Sequence, residues 1–272
     1  MSAAKVTGLW IYPVKSCRGI SLREMQMGDT GPMHDRQWMI VDSLNHFISL
    51  RTHPKLAEIK TSLQGPFLHL YLGTNKVLIN RTEECDLIEP VTVWGDNFNA
   101  GIEAKDVNET LSDFLSESVK LVRYQRQSFR DLKGGATEVV KQTMFADGRP
   151  VLLVNENSLS DLNSKLRDQG SEPAVLERFR SNIIVDGLDP FAEDKINEVQ
   201  IGEVILSRPK LCARCPIVTQ DIETGNVVSK ETLKTLAKFR QFGSGSGVMF
   251  GLNLTPSKLG LIRINDAVKI LS

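Results

Sequence analysis

Alternating apolar and polar positions recur along the first part of the chain. Residues 6–15 alternate, and short alternating runs separated by Gly, Pro and Asn return between residues 47 and 93. A period of two is typical of strands with one buried face, and turns at this spacing are typical of an antiparallel barrel or sandwich. The pattern therefore predicts a β-rich first region.

Helical spacing of apolar side chains appears at three places and predicts helices over residues 103–117, 155–167 and 232–239. Apolar runs in the second half predict strands near residues 150–154 and 183–185, and a further strand over residues 201–210. The polar, arginine-rich segment 125–137 is the best candidate for a linker. We therefore predict an α+β protein with a β-rich region over residues 1–124 and a second domain over residues 125–272.

The overall charge of the chain gives no reason to expect a polyanionic partner. Its 272 residues contain 33 basic and 33 acidic side chains, so we expect no nucleic-acid partner and no membrane partner, and any anion site must be local. The N-terminus lacks an apolar leader pattern and no stretch has the length of a membrane span. The sequence therefore favours a cytoplasmic protein.

Cationic and polar residues stand where several predicted strands begin or end. Lys15 and Ser16 follow the first strand, Arg36 precedes residues 37–41, and Arg149 and Arg180 precede two later apolar runs. One such residue indicates an ordinary solvated strand end, but several indicate a shared site, and the guanidinium fork suits phosphate. We therefore expect these side chains to meet around an anion.

The second chemical signal is the pair Cys212 and Cys215, with Arg208, Lys210 and Arg214 close in sequence. A thiol near fixed positive charge ionises more easily and then attacks or binds a metal. A zinc half-site would need a second ligand pair, which the sequence lacks. No helix is predicted to start at the pair, and residues 217–219 have an extended pattern, which weakens a thioredoxin-like interpretation. A structural pair and a thiol redox switch remain open from these residues alone.

The motifs together resemble one family along nearly the whole chain. The segments that carry the likeness are LWIYPVKSCRG (9–19), HDRQWMI (34–40), FADGRPVLLVNENSLSDLN (145–163), RFRSNIIVDG (178–187), CARCPIVTQDIETG (212–225), ETLKTLAKFR (231–240) and FGLNL (250–254). They are similar to those of the MOSC family, and specifically to its amidoxime-reducing component branch. The CxRC element with the turn that follows it is the most specific of these motifs.

The resemblance implies a β-barrel-rich MOSC fold of the α+β class, with an N-terminal MOSC-type barrel-like region over residues 1–124 and a MOSC domain over residues 125–272. It implies a molybdenum cofactor, Mo-molybdopterin, with Cys215 as the metal ligand and catalytic residue. Carried over by position, the residues that hold the pterin and its phosphate are Lys15, Ser16, Arg36, Gly148, Arg149, Arg180, Asn182, Arg214 and Asn253. Ala213 and Ser181 stand where the family often has serine and proline, so side-chain contacts from these two positions are not carried over.

The activity implied by the resemblance is reduction of small N-hydroxylated substrates, namely amidoximes, hydroxylamines and N-hydroxylated bases. No iron–sulfur cysteine pattern is present, so the electrons are expected from a separate donor protein that is cytochrome b5-like, ferredoxin-like or a flavin reductase. The alternative is a non-catalytic carrier of molybdenum cofactor or sulfur that uses the same Cys215. A third hypothesis, a plain thiol redox sensor, needs no cofactor.

Overall fold

Strands dominate the secondary structure. The computed structural model describes residues 4–125, 127–128, 130, 143–242 and 247–272, so most of the predicted linker lies outside the described residues. The strands are β1 Lys5–Ile11, β2 Ile20–Leu22, β3 Glu24–Gly28, β4 Gly31–Pro32, β5 Trp38–Asp42, β6 Lys60–Gln64, β7 Phe67–Leu72, β8 Asn75–Asn80, β9 Ile88–Val93, β10 Asp96–Ile102, β11 Val119–Arg123, β12 Val151–Asn155, β13 Ile183–Asp186, β14 Val199–Ile201, β15 Val204–Arg214, β16 Val248–Lys258, β17 Gly260–Arg263 and β18 Val268–Ile270. The α-helices are α1 Lys105–Leu115, α2 Glu156–Asp168 and α3 Glu231–Arg240, and the 3-10 helices are Pro54–Glu58, Leu176–Phe179, Ala192–Lys195 and Pro216–Thr219.

The largest sheet has eight strands in the order β18-β14-β15-β16-β12-β13-β1-β2. All its pairs are antiparallel except β12 with β13, which are parallel and connected through α2. The continuous apolar run of β12 is buried on both faces: Val151 and Leu153 pack into one core cluster, while Leu152 and Val154 pack into another with α2 and α3. A strand covered on both faces has no polar alternation, which explains its sequence pattern.

The first region of the chain contributes both to this sheet and to smaller ones. Strands β1 and β2 join the large sheet through the pairing of β1 with β13. The other strands of the first region form a four-stranded sheet ordered β5-β11-β10-β9 and a three-stranded sheet ordered β6-β7-β8, and β3 and β4 pair with β17. The division between residues 1–124 and 125–272 stays a prediction.

The structure confirms the predicted α+β class and the three predicted helices, with bounds that differ by a few residues. Asn155 caps α2, since its side chain accepts a hydrogen bond from the Asn157 amide at 3.2 Å. The extended interpretation of residues 217–219 was wrong: Pro216–Thr219 is a 3-10 turn, which Pro216 favours by its fixed φ at the first helical position. Among the described residues no helix is long and apolar enough to cross a membrane.

Candidate anion and thiolate site

One cavity of about 460 Å³ collects the residues singled out in the sequence. All ten predicted site residues line it: Lys15, Ser16, Arg36, Gly148, Arg149, Arg180, Asn182, Arg214, Cys215 and Asn253. They come from distant parts of the chain, and the order of the strands explains why they meet. β15, β16, β12, β13 and β1 are consecutive neighbours in the large sheet, and most of the ten lie on these strands or directly beside their ends.

The charge of this cavity is strongly unbalanced. Seven cationic side chains line it against one carboxylate, that of Asp147, although the whole chain is neutral. The seven are Lys15, Arg36, Arg51, Arg149, Arg180, Lys210 and Arg214. Like charges held in one cavity repel unless an anion compensates them. The charge of the lining therefore suits an anionic ligand.

Two of the arginines are held against one aromatic ring. The guanidinium carbons of Arg36 and Arg180 lie 4.4 Å and 4.3 Å from the centroid of the Tyr12 ring. Arg36 also donates to Asp35 at 2.5 Å and to the Arg180 carbonyl at 2.9 Å, whereas no hydrogen bond or ion pair of the Arg180 side chain is found among the described residues. Burial and the nearby Arg36 charge lower the pKa of Arg180. Arg180 thus has no ion pair of its own in the described part of the chain, and Asp35, which is paired with Arg36, offsets its charge only from a distance.

The backbone at the cavity is strained at three of the predicted residues. Ser16, Arg36 and Arg180 have positive φ angles of 70°, 49° and 54°. A left-handed conformation costs a non-glycine residue about 1–2 kcal/mol, and such strain concentrates at functional sites. Three strained residues in one cavity indicate that the fold maintains this arrangement for more than its own stability.

Lys15 is buried at the wall of the cavity, with 6% of its surface exposed. Its ammonium group donates to the Phe145 carbonyl at 2.8 Å and forms an ion pair with Asp147. Burial lowers the pKa of Lys15, and the charge of Asp147 partly offsets this effect. Asp147 in turn accepts a hydrogen bond from the Trp94 indole at 2.9 Å. Lys15 is therefore a fixed cation, positioned from the segment before β12.

The two cysteines differ in their surroundings. Arg214 donates to the Cys212 sulfur at 3.0 Å and to the Phe179 carbonyl at 2.7 Å, and Cys212 packs against the core cluster beneath α2 and α3. Cys215 lies just beyond β15, directly before the 3-10 turn, and its sulfur has no hydrogen bond in the described part of the chain. The Cys212 sulfur is thus bonded to the protein, whereas the Cys215 sulfur has no such bond.

The remaining predicted residues contribute in different ways. Asn182 is 1% exposed, and both ends of its amide bind backbone: it donates to the Trp10 carbonyl at 3.1 Å and accepts from the Leu152 amide at 3.1 Å. It therefore joins β1 to β12 and lies at the cavity floor. Gly148 is exposed in the loop before β12, and Asn253 lies opposite Leu152 on β16. The binding roles of all these residues stay predictions.

Sequence reasoning missed several members of the cavity. Asp147 lies two residues before the predicted Arg149, and Tyr12, which stacks against Arg36 and Arg180 without lining this cavity, lies within the LWIYPVK motif, so both were close to a signal. At the rim, the Arg51 guanidinium lies 4.1 Å from the ring centroid of Trp94, which is 49% exposed. No local pattern distinguishes these two residues, because their contact depends on how two separate turns meet.

One unpartnered atom tests whether the cavity suits the cofactor implied by the family resemblance. The Nε of Arg214 is buried and lacks a hydrogen-bond partner. A buried donor without a partner is unfavourable by about 1–3 kcal/mol, which a ligand acceptor would relieve. This donor, the Arg180 guanidinium without an ion pair of its own and the Cys215 sulfur without a hydrogen bond fit an anion that needs one soft ligand. The donor set therefore fits a phosphate-bearing molybdenum cofactor.

Comparison with known families agrees with the fold and the cavity. Residues 3–118 match the family described as MOSC N-terminal beta barrel domain, and residues 140–269 match the MOSC domain. The chain belongs to the MOSC family. Within that family it belongs with the amidoxime-reducing components, which it resembles along almost its whole length.

Three relatives define this placement. The chain is 30% identical to mitochondrial amidoxime-reducing component 1 of Homo sapiens and 31% identical to that of Mus musculus, and each match covers 98% of this chain and 82% of the relative. It is also 29% identical to molybdenum cofactor sulfurase of Oryza sativa subsp. japonica, over 90% of this chain and 31% of the relative. The animal relatives are named mitochondrial, so they give no support to the expected cytoplasmic location.

Proposed function

We propose that the cavity binds Mo-molybdopterin and that the protein reduces small N-hydroxylated compounds such as amidoximes. The observation that carries this proposal is the convergence of seven cations and Cys215 on one cavity with a single carboxylate. A phosphate at physiological pH carries nearly two negative charges and several acceptor oxygens, so it matches such a lining. The names of the relatives support the same cofactor and substrate class.

The residues of the chain divide into three roles in this proposal. Arg36 and Arg180 hold the phosphate, and Asp35 fixes the direction of the Arg36 guanidinium. Lys15, Ser16, Gly148, Arg149, Asn182, Arg214 and Asn253 complete the cofactor-binding set. Cys215 supplies the thiolate for the metal, while Arg214 keeps Cys212 out of that role.

When bound, the cofactor supplies the two-electron chemistry that removes oxygen from nitrogen. The protein orients the cofactor, compensates its charge and keeps one sulfur available. Tyr12 is not proposed as a proton donor, because burial raises its pKa to about 12. The electrons come from a separate donor protein that is cytochrome b5-like, ferredoxin-like or a flavin reductase.

The alternative function is a carrier of molybdenum cofactor or sulfur that uses Cys215 without reducing a substrate. The match to a protein named molybdenum cofactor sulfurase favours keeping this candidate. Both functions need the same cavity and the same cysteine. Turnover of an amidoxime distinguishes them, since only the reductase converts it to the amidine.

Replacement of each cysteine tests the proposal. Cys215→Ser should lose the bound molybdenum, because serine does not offer the soft thiolate, whereas Cys212→Ser should retain most of it. Molybdenum content and reduction of benzamidoxime by an artificial reductant are measured for both variants, purified from a host that makes the cofactor. Equal losses in the two variants, or a wild-type protein without molybdenum, would contradict the proposal and favour a redox pair. Molybdenum retention without turnover would favour the carrier.

A further inference from the structure

A second cavity of about 280 Å³ adjoins the first. The two cavities share Arg180 and Ile217 as lining residues, and Ile217 follows Cys215 by two positions. Much of the second cavity is lined by aromatic and aliphatic side chains: Trp10, Tyr12, Leu50, Ala57 and Ile222. A ligand in the second cavity would therefore lie on apolar walls beside the site proposed for the cofactor.

Gln220 gives this apolar cavity one unused hydrogen-bond acceptor. Only 8% of the residue is exposed, its Nε2 donates to the Leu50 carbonyl at 2.8 Å, and its Oε1 is buried without a partner. The bond to Leu50 fixes the direction of the amide, because a carbonyl accepts and cannot donate. A buried acceptor left unpaired is unfavourable by about 1–3 kcal/mol. The protein bears this cost at a position where a ligand N–H would relieve it.

Arg178 adds an unused donor to the same cavity. Its Nε is buried without a partner, and its guanidinium forms no hydrogen bond in the described part of the chain. Two carboxylates line the cavity, Glu177 and Asp221, and neither forms an ion pair with Arg178 in the described part of the chain. Asp221 accepts the backbone amides of Glu223 and Thr224 with its Oδ1, at 3.0 Å and 2.9 Å. A ligand that fits the cavity thus has an N–H for Gln220 and an acceptor for Arg178.

The wall that carries Gln220 is rigidly attached to the first region of the chain. Gly225 has φ +70°, and a Cβ there would lie 2.2 Å from the Pro54 carbonyl oxygen, so only glycine allows this approach. Arg18 donates to the Ala57 carbonyl at 2.8 Å and pairs with Glu223 in the same turn. The unpaired acceptor is therefore held in place before any ligand arrives, which lowers the entropic cost of binding.

We propose that the second cavity binds the substrate and selects amidoximes that carry a free amino group. This inference rests on the proposed function. The carbon of an amidoxime bears the N-hydroxyl group and an NH2 group side by side. The aryl or alkyl part of the substrate packs on the apolar walls, and Gln220 Oε1 accepts a hydrogen bond from the NH2. Oximes and N-oxides lack this N–H and lose that bond.

A double-mutant cycle between protein and ligand tests the contact. Benzamidoxime and acetophenone oxime differ by an amino group in place of a methyl group of similar size. Their affinities are measured by calorimetry for the wild-type protein and for Gln220→Leu, with Gln64→Leu as the control, because Gln64 is exposed on β6 away from the cavity. The wild type and the control should bind benzamidoxime about five- to tenfold more tightly than the oxime, as expected for one buried hydrogen bond, and Gln220→Leu should lose this preference.

The outcomes separate the possible occupants. Equal affinities in the wild type, or a preference that Gln220→Leu retains, overturns the inference. Loss of molybdenum from Gln220→Leu with an unchanged ligand preference also overturns it, because the cavity would then hold part of the cofactor. If Gln220→Leu does not fold, the side-chain amide resonance of Gln220 in labelled wild-type protein replaces it: a shift with benzamidoxime alone supports the contact, and equal responses to both ligands refute it. Because binding is measured without turnover, failure of the proposed reductase activity would be seen separately, as absent molybdenum and absent amidine.

Discussion

Two clefts of opposite charge differ in how their charged side chains are partnered, and this difference distinguishes a structural charge cluster from a candidate binding site. The larger cleft, of about 1250 Å³, is bordered by α1, β9 and β11 and is lined by eight carboxylates and three cations. The smaller cavity, of about 460 Å³, is lined by seven cations and one carboxylate. Size alone would favour the larger cleft as the functional site, but the partners of the charged groups favour the smaller one.

In the acidic cleft every lining cation has a protein partner. Arg123 is 4% exposed and forms a bidentate pair with Glu103, at 2.6 Å and 2.9 Å, and also donates to the carbonyls of Asn80 and Glu83. Lys120 pairs with Glu89 and Lys105 pairs with Glu109. The buried Arg123 is thus fully used by the protein and stabilises the fold, and no cation of this cleft is left to bind an anionic ligand.

In the cationic cavity the opposite holds for two arginines. The Arg180 side chain forms no hydrogen bond or ion pair within the described ranges, and Arg214 keeps a buried Nε without a partner. Arrangements of this kind reduce stability in the absence of a ligand and increase affinity when an anion binds. The contrast predicts that arginine replacements in the two clefts have opposite consequences.

The largest effect on stability is expected for Arg123→Met. The change leaves Glu103 buried without its cation, with neutral donors such as the Trp38 indole, at 2.7 Å, in its place. Breaking a buried pair from one side typically costs about 3–5 kcal/mol of unfolding free energy. Denaturant unfolding measures this loss. Arg123→Met combined with Glu103→Leu should recover most of it, because both charges are then absent, and a loss below about 1 kcal/mol in the single variant would contradict the structural role.

Arg180→Met should show the opposite behaviour. Its unfolding free energy should stay within about 1 kcal/mol of the wild type, since the lost stacking on Tyr12 is offset by removal of a buried charge that has no ion pair. Retention of molybdenum should fall about tenfold or more, because a charge-assisted hydrogen bond to phosphate contributes about 1.5–3 kcal/mol. Metal analysis and unfolding are compared with Arg263→Met, whose side chain is 55% exposed outside both clefts. Lost stability with retained metal would place Arg180 with the structural arginines instead.

The cationic residues of the site could be predicted from the sequence because they interrupt local patterns. Arg36, Arg149 and Arg180 stand beside buried strands, where a charged side chain needs an explanation that strand formation does not supply. Fold class and helices were predictable for the same reason, since periodicity is local. The family resemblance singled out Cys215 over Cys212, but the different surroundings of the two thiols, with Arg214 bonded to the Cys212 sulfur, are visible only in the structure.

Features that depend on the order of the strands were not predictable. The stacking of two arginines on Tyr12 requires β1 and β13 to be neighbours, although 171 residues separate Ile11 from Asn182 in the numbering. The unpaired acceptor of Gln220 depends on the distant Leu50 carbonyl. Whether a buried polar atom has a hydrogen-bond partner depends on all the residues around it in the fold, and no short stretch of sequence contains those residues.

The smallest expected effect is a pH dependence of stability and of phosphate affinity that Lys15 causes and the arginines do not. Burial lowers the pKa of Lys15 from the usual value of 10.5, and an unfolded chain restores that value. Between the two pKa values the unfolded state binds more protons, so the unfolding free energy of the cofactor-free protein should rise with pH there, while phosphate affinity should fall as Lys15 loses its charge. Lys15→Met should show neither trend.

Unfolding and phosphate binding are measured at pH 7 and pH 9.5 for both proteins. Arginine keeps its charge over this range, so any phosphate binding left at pH 9.5 should depend on Arg36 and Arg180. Parallel pH profiles for the wild type and Lys15→Met would show that the ammonium of Lys15 does not face the bound anion.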